Sequence, residues 1–154
     1  MQGADQGEAQ VPDGEGLRIG IVRARFNDAV TRTMADDCRA ALEAMGVQAK
    51  HIRQVDVPGA LEIPVALEVM ADSDDFDALV AVGCVIRGET YHFEIVSDQS
   101  AAGVMQVSLR HHVPIANAVI TVENDAQAQA RARTHGAAAA RVAVDMVNQL
   151  DEWL

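Results

Sequence analysis

His92 follows a turn that contains Gly88 and Thr90, a combination that suits proton transfer beside a bound anion. The turn lies between a continuously apolar run and a long amphipathic segment, which is typical of a strand leading into a helix. Free backbone N–H groups and the helix dipole favour an anion such as phosphate at this kind of turn. An imidazole with an ordinary pKa of about 6.5 suits a general acid and base near neutral pH. A structural role for His92 is the alternative.

Three other side chains could contact a ligand. Phe26 is an aromatic residue in a polar turn, so it either folds back on the core or offers a stacking surface to a flat heterocycle. Glu62 lies at a predicted helix start, where the helix dipole alone favours an acid, and as a ligand it would accept hydrogen bonds from hydroxyls. Arg131, on an alanine-rich helix, is either a solvated charge or a two-pronged phosphate ligand.

Strand and helix patterns alternate along the chain. This order predicts an α/β fold with four parallel strands, helices on both faces and right-handed crossovers. Because ligands bind beyond the carboxyl ends of such strands, residues 23–27, 56–62, 87–92 and 121–124 are expected to converge. The predicted strands are residues 17–22, 47–55, 77–82 and 115–122. Five helices are predicted: residues 28–45, residues 60–71, a long helix after the turn, a helix that ends at residue 133, and residues 137–153. The last helix is expected to direct four residues toward the core, namely Val142, Met146, Val147 and Leu150.

The composition excludes several classes of protein. The 154 residues carry 23 acidic against 12 basic side chains, a net charge of −11, which argues against nucleic acid as a partner. No apolar run is long enough to span a membrane and no signal-peptide pattern is present, so we expect a cytoplasmic protein. Cys38 and Cys84 are expected to be small core residues. Residues 1–16 are predicted to be a mobile acidic tail, and residues 17–154 to form one domain.

Taken together and in this order, the four segments resemble the lumazine synthases, enzymes that make 6,7-dimethyl-8-ribityllumazine in riboflavin biosynthesis. The similarity spans residue 17 to about residue 150. The matching stretches are residues 20–22, 25–27, 57–64, 85–93, 121–124, 127–128 and 131–132.

The resemblance implies a flavodoxin-like three-layer α/β/α sandwich that forms homopentamers, with each active site between two neighbouring subunits. One substrate, 5-amino-6-ribitylaminouracil, would stack on Phe26, and Glu62 would hold its ribityl hydroxyls. The other, 3,4-dihydroxy-2-butanone 4-phosphate, would react with it without a metal or cofactor, and His92 would move the protons. The resemblance also assigns substrate binding to Ala60, Leu61, Val85 and Ile86, and phosphate binding to Gly88, Glu89, Thr90 and the neighbour's Arg131.

Three positions depart from the pattern of many lumazine synthases. Leu61 and Asn117 stand where phenylalanine is common, which implies looser or more polar packing at the pyrimidine. His135 takes the place of a phosphate-binding lysine in a shortened connection, so we expect affinity for the phosphate substrate to fall as pH rises from about 6 to 8. Because the connection also lacks a Gly-Asn kink, a pentamer or a pair of pentamers is favoured over an icosahedral shell.

Two other interpretations are compatible with the predicted sheet. Within the family, the chain could be a catalytically weak paralogue that binds flavin or lumazine, although His92, Glu62 and Arg131 argue against it. From another class, it could be a receiver domain or a flavodoxin-type electron carrier. A receiver needs acids after the first strand, where this chain has Arg23 and Arg25, and a flavodoxin needs a Ser/Thr- and Gly-rich phosphate loop there.

Overall fold

The protein is a parallel sheet between two layers of helices in a computed structural model, which describes residues 3–7 and 10–154. The strands are β1 (Ile19–Ala24), β2 (Ile52–Val57), β3 (Ala78–Ile86) and β4 (Ile115–Val122). The helices are α1 (Asp28–Ala44), α2 (Ile63–Asp72), α3 (His92–His111), α4 (Asp125–Ala132) and α5 (His135–Leu150). All strand pairs are parallel, in the order β2-β1-β3-β4, so the predicted three-layer α/β fold is confirmed.

Two hydrophobic clusters fill the space on either side of the sheet. One lies under α1, α4 and α5, and the other lies under α2 and α3. β1 is buried throughout and β3 is buried for seven of its nine residues, as expected for continuously apolar central strands. β2 is an edge strand with four exposed residues, in keeping with its mixed composition.

Two strand boundaries differ from the prediction. Residues 47–51 do not belong to β2, because a 3₁₀ turn over Ala49–His51 closes with a hydrogen bond from His51 N to Gln48 O (2.8 Å). β2 instead continues through Asp56 and Val57, two residues beyond its predicted end. β3 likewise continues to Ile86, four residues beyond its predicted end, because residues up to Ile86 pair with β4. The turn before α3 is therefore shorter than expected.

The prediction for the core face of α5 is confirmed for Val147, which packs against the core, and was wrong for Val142 and Met146. Val142 and Met146 are exposed, whereas the buried side consists of Gly136, Ala139, Ala140, Ala143 and Val144. α5 lies so close to α1 that a Cβ atom at Gly136 would stand 2.1 Å from the carbonyl oxygen of Met34. Such a close approach selects small residues at the contact, and Val142 and Met146 face outward. α5 also begins at His135 and ends at Leu150, not at residues 137 and 153.

The predicted boundary of the N-terminal tail lies a few residues too late. Asp13 N donates to Asn148 Oδ1 and Asn148 Nδ2 donates to Asp13 O, both at 2.9 Å, while Gly14 N donates to Met45 O. The chain is thus attached to the domain from Asp13 onward. Residues 1, 2, 8 and 9 of the predicted tail lie outside the described residues, and the mobility of the tail stays a prediction.

The two cysteines are buried and unbonded, as predicted. Burial raises the pKa of the Cys38 thiol to about 12, so this side chain is uncharged at neutral pH. Within the described part of the chain, no helix combines the length and the apolar character needed to cross a membrane.

Candidate active site

A cavity of about 340 Å³ lies beyond the carboxyl ends of β1, β2 and β3. The structure brings together three of the four segments that were expected to converge, because parallel strands deliver their following loops to one edge of the sheet. Seven predicted site residues line the cavity, namely Phe26, Ala60, Leu61, Glu62, Val85, Ile86 and His92.

The loop between β1 and α1 holds Phe26 at the mouth of this cavity. Its ring is 71% exposed, so Phe26 does not fold back on the core. The backbone continues the pairing with the β2 side, since Arg25 N donates to Val57 O (2.8 Å) and Phe26 N donates to Pro58 O (3.2 Å). Asn27 is in the left-handed region (φ 57°) and its side chain donates to Cys84 O (2.8 Å). The loop is therefore fixed on both sides, and the ring is available for stacking.

The corner between β2 and α2 supplies the adjoining wall. A 3₁₀ turn over Ala60–Glu62 precedes α2, and proline in the first turn of α2 needs no hydrogen-bond partner for its nitrogen. Gly59 leaves room at this corner, because a Cβ atom there would lie 3.1 Å from Oε2 of Glu62 and 3.2 Å from Cδ2 of Phe26. The carboxylate of Glu62 and the ring of Phe26 thus meet above a residue without a side chain.

The end of β3 forms the floor of the cavity, with Cys84, Val85 and Ile86. Burial raises the pKa of the Cys84 thiol to about 11, so its sulfur is neutral and a poor nucleophile at neutral pH. His92, the first residue of α3, lines the same cavity and is exposed. It is therefore the ionisable side chain at the rim on the α3 side, across the cavity from Phe26 and Glu62.

Arg87 fastens the segment that precedes His92. Its Nε donates to Glu123 Oε2 (2.6 Å), its Nη1 donates to Glu94 Oε1, and its guanidinium lies 4.3 Å from the centroid of the Phe93 ring. Its backbone N also donates to Val122 O (2.9 Å). The hydrogen bond from Arg87 lowers the pKa of Glu94, and hydrogen bonds to both acids raise the pKa of Arg87. The charge of Arg87 is thus neutralised by two carboxylates, which makes it an unsuitable phosphate ligand.

Gly88, Glu89 and Thr90 form an exposed bend next to the cavity rather than part of its lining. The first residue of α3 receives little capping, since His92 N lies 3.4 Å from Thr90 Oγ1 and Tyr91 gives no side-chain cap. A helix start with unsatisfied N–H groups suits an anion. Phosphate binding at this bend, beside His92, stays a prediction.

Asn117, Arg131 and His135 lie outside the cavity of the single chain. Asn117 is exposed on the edge strand β4, where its Oδ1 accepts from Val119 N (2.8 Å). Arg131 and His135 are close together at the junction of α4 and α5, because His135 Nδ1 lies 2.9 Å from Arg131 O. The helix that carries Arg131 is capped by Asn124, whose Oδ1 accepts from Gln127 N (2.9 Å).

Four lining residues were not among the predicted site residues, namely Asn27, Gly59, Cys84 and Val96. Asn27 is the N-cap residue of α1, and its carbonyl oxygen accepts from Val30 N and Thr31 N (both 3.1 Å). Its side chain makes no cap hydrogen bond and donates to Cys84 O on β3 instead. The available sequence signal was an Asn directly after an aromatic residue in a predicted turn. Because Asn tolerates the left-handed region, this position indicates a tight turn of the backbone at the site. Gly59 and Cys84 adjoin predicted site residues, and Val96 lies one turn after His92.

Comparison with known proteins decides the family. A family model described as 6,7-dimethyl-8-ribityllumazine synthase matches residues 16–151. The chain belongs to the 6,7-dimethyl-8-ribityllumazine synthase family. It is 60% identical to the lumazine synthase of Acidovorax sp. (strain JS42) over 152 residues, 99% of each chain. It is 63% identical to the lumazine synthase of Methylibium petroleiphilum over 139 residues, and this matched stretch covers 90% of this chain and 87% of the relative.

A more distant lumazine synthase, that of Polaromonas sp., is 54% identical over 152 residues and again covers 99% of both chains. The family match includes every segment that contributes to the cavity. Membership therefore rests on the whole domain, and not only on the short motifs that suggested it.

Proposed function

We propose that this chain is a lumazine synthase that condenses 5-amino-6-ribitylaminouracil with 3,4-dihydroxy-2-butanone 4-phosphate in riboflavin biosynthesis. The observation that carries the proposal is the single cavity shared by Phe26, Glu62 and His92 in a member of this family. These residues come from three separate loops, and together they offer an aromatic face, a carboxylate and a proton carrier. A paralogue that only binds its ligand, a receiver domain and a flavodoxin are not favoured.

Each wall of the cavity suits one part of the reaction. The pyrimidine stacks on Phe26, and Glu62 with the backbone of Ala60 and Leu61 holds the ribityl hydroxyls. The butanone phosphate places its phosphate at Gly88, Glu89 and Thr90. The amine attacks the ketone and an imine forms with loss of water, phosphate leaves by elimination, and ring closure with loss of a second water gives the lumazine. His92 moves protons between these steps, while the alignment of the two substrates supplies much of the acceleration.

Mixing the purified protein with the two substrates and following lumazine fluorescence tests the proposal. An enzyme turns over many equivalents of substrate per chain, whereas a binding paralogue gives no fluorescence above the uncatalysed rate. The absence of catalysed lumazine formation would refute the function. Flavin mononucleotide copurifying at one equivalent per chain, with a reversible one-electron step, would instead support the electron-carrier class.

Gly59→Ala is expected to weaken binding of the pyrimidine substrate. The added methyl group would lie 3.1 Å from the Glu62 carboxylate and 3.2 Å from the Phe26 ring, so both must shift by a few tenths of an ångström. Displacement of two proposed contacts should raise KM for the pyrimidine by about tenfold, or about 1.4 kcal/mol, with kcat little changed. Steady-state kinetics measure the change in KM. Gly103→Ala, which crowds Pro64 between α2 and α3, tests whether crowding elsewhere in the fold raises KM by itself.

We also propose that the chain forms a homopentamer, alone or as a pair of pentamers, in which neighbouring subunits complete each site. Arg131 and His135 are adjacent to each other but outside the cavity of their own chain, which supports a role in a neighbour's phosphate site. Asn117, exposed at the β4 edge, would approach the neighbour's pyrimidine. The pH dependence expected from His135, like the cytoplasmic location, stays a prediction.

Exposed apolar residues on α2 and α3 support this assembly. Val65 and Val69 on α2 are 66% and 67% exposed, and Met105 and Leu109 on α3 are 60% and 67% exposed. Each pair has a spacing of four residues, so each lies on one side of its helix. The two helices pack against each other, and Glu68 joins Arg110 across them (2.6 Å). An apolar surface on paired helices is a feature of subunit interfaces.

Val69→Asp is expected to dissociate the assembly. A carboxylate buried without a partner at a subunit contact costs several kcal/mol per subunit. Mass photometry should show particles of about five or ten times the 16.4 kDa chain for the unaltered protein and smaller species for the variant. Val69→Ala, which keeps the position apolar, is the control and should remain assembled. An icosahedral shell in the unaltered protein, or an intact assembly in Val69→Asp, would contradict this part of the proposal.

A further inference from the structure

A buried arginine lies beneath the loop that carries Phe26. Arg23 is only 4% exposed, although it sits near the end of β1 with polar neighbours on two other elements. Its Nη2 donates to Asp56 Oδ2 on β2 (2.8 Å), and its Nη1 donates to Asp28 Oδ1 (2.8 Å) and Thr31 Oγ1 (3.2 Å) on α1. One guanidinium therefore links three elements at the carboxyl end of the sheet.

The two carboxylates that Arg23 links flank Phe26 on both sides. Asp28 comes two residues after Phe26 in the chain. Asp56 comes two residues before Pro58, whose carbonyl oxygen accepts from Phe26 N (3.2 Å). Arg25 also donates through Nη1 to the carbonyl oxygen of Asp56 (3.2 Å). A shift of either carboxylate would thus be transmitted through one or two peptide units to the backbone of Phe26.

Charge explains why this link holds the loop in one geometry. Hydrogen bonds to Asp56 and Asp28 raise the pKa of Arg23, and the same bonds lower the pKa of each acid, so all three groups are charged at neutral pH. Without the guanidinium, the two carboxylates would repel each other across the base of the loop.

Stability alone does not account for the arrangement. Burying a guanidinium has a desolvation cost of several kcal/mol, and an apolar residue of similar volume at such a site is often neutral or stabilising. Both acids are about half exposed, with side-chain exposures of 53% and 39%, so the ion pairs are screened by solvent on one side. The arrangement restricts geometry more than it adds stability.

We propose that Arg23 is a positioning residue that sets the orientation of the Phe26 ring for the pyrimidine substrate, through Asp28 and Asp56. This inference rests on the proposed function, since it assigns the stacking of the pyrimidine to Phe26. Arg23 itself does not line the cavity and contacts no substrate. Its effect is on the two walls that follow β1 and β2, where the pyrimidine substrate is proposed to bind. The proposed phosphate side follows β3 and makes no contact with Arg23.

Arg23→Met removes the link while keeping most of the side-chain volume. We expect KM for the pyrimidine to rise about ten- to a hundredfold, because the stacking surface is misplaced, while kcat and KM for the butanone phosphate change less than about twofold. Arg23→Lys, which keeps the charge but cannot bridge both acids, should restore part of the affinity. Arg32→Met is the matched control, because Arg32 is an exposed partner of Asp28 (3.0 Å), and it should leave both KM values unchanged.

Direct binding separates this inference from the proposed function. Calorimetric titration of the pyrimidine substrate alone should give a weaker Kd for Arg23→Met by the same factor, whether or not turnover occurs. An unchanged Kd in a variant with native circular dichroism would overturn the inference, and so would a parallel loss of affinity for both substrates. If Arg23→Met does not fold, Asp56→Asn decides, since it breaks one arm without a change in volume. It should weaken pyrimidine binding severalfold, and an unchanged Kd would refute the role.

Discussion

His92→Ala is expected to lower kcat for lumazine formation by about 10² to 10⁴, the range typical of a lost general acid and base. The imidazole is exposed at the rim of the cavity as the first residue of α3, so its removal leaves no buried gap and should not disturb folding. KM for both substrates should change little, because the proposed binding contacts come from other residues. Lumazine fluorescence under saturating substrate measures the effect.

The control for this variant is a histidine at the other end of the same helix. His112 is exposed, follows α3 in the left-handed region (φ 52°) and does not line the cavity, so His112→Asn should keep the unaltered rate. Mass photometry should give the same assembly for both variants and the unaltered protein. Equal rates for His92→Ala and the unaltered protein would remove His92 from the mechanism, and the alignment of the substrates would then be the main source of acceleration.

Gly136→Ala is expected to destabilise the protein by about 3 kcal/mol, at the upper end for overpacking. The added methyl group would lie 2.1 Å from Met34 O and 2.9 Å from Met34 C and Cα, and a backbone cannot move aside as a flexible side chain can. Alanine is the better helix former by at most about 1 kcal/mol, so the clash decides the sign. Thermal unfolding should show a midpoint lower by about 6–10 °C.

Gly88→Ala is the comparison for stability. A Cβ atom at Gly88 has nothing within 4 Å, and this residue is not in the left-handed region, so its unfolding midpoint should stay within about a degree or two. An unchanged midpoint for Gly136→Ala would mean that α1 and α5 separate at little cost. Because Arg131 and His135 lie at the same α4–α5 junction, a folded Gly136→Ala variant should also bind the phosphate substrate more weakly.

Sequence patterns predicted the fold better than they predicted its boundaries. The alternation of strand and helix patterns predicted the four parallel strands and the helices between them, and the structure confirms this order. The start of β2 was wrong, since β-branched and polar residues around Lys50 suit a strand and a 3₁₀ turn alike. The end of β3 was wrong because pairing with β4, a contact distant in the chain, keeps residues 83–86 extended.

The site residues that could be predicted from the sequence are those that lie in a short local motif and whose side-chain type suits one chemical task. Phe26, Glu62 and His92 each follow a strand, and the rule that ligands bind at the carboxyl ends of parallel strands was enough to group them. The place of Asn27 in the cavity was not predicted, because its side chain bonds to Cys84 O, 57 residues away in the chain. The bond between Arg23 and Asp56 could not be predicted from the sequence either, since the two residues are 33 positions apart in the chain.

By itself, the amino-acid sequence determined the family, the order of strands and helices, and the residue types available for chemistry. These features depend on local periodicity and on motifs within single loops. Only the tertiary structure decided that Phe26 faces solvent, that Val142 and Met146 of α5 point away from the core, and that Arg23 joins two carboxylates. The physical reason is that burial and close approach depend on which segments become neighbours in space, and a Cβ atom at Gly136 is excluded by a carbonyl 102 residues earlier in the chain.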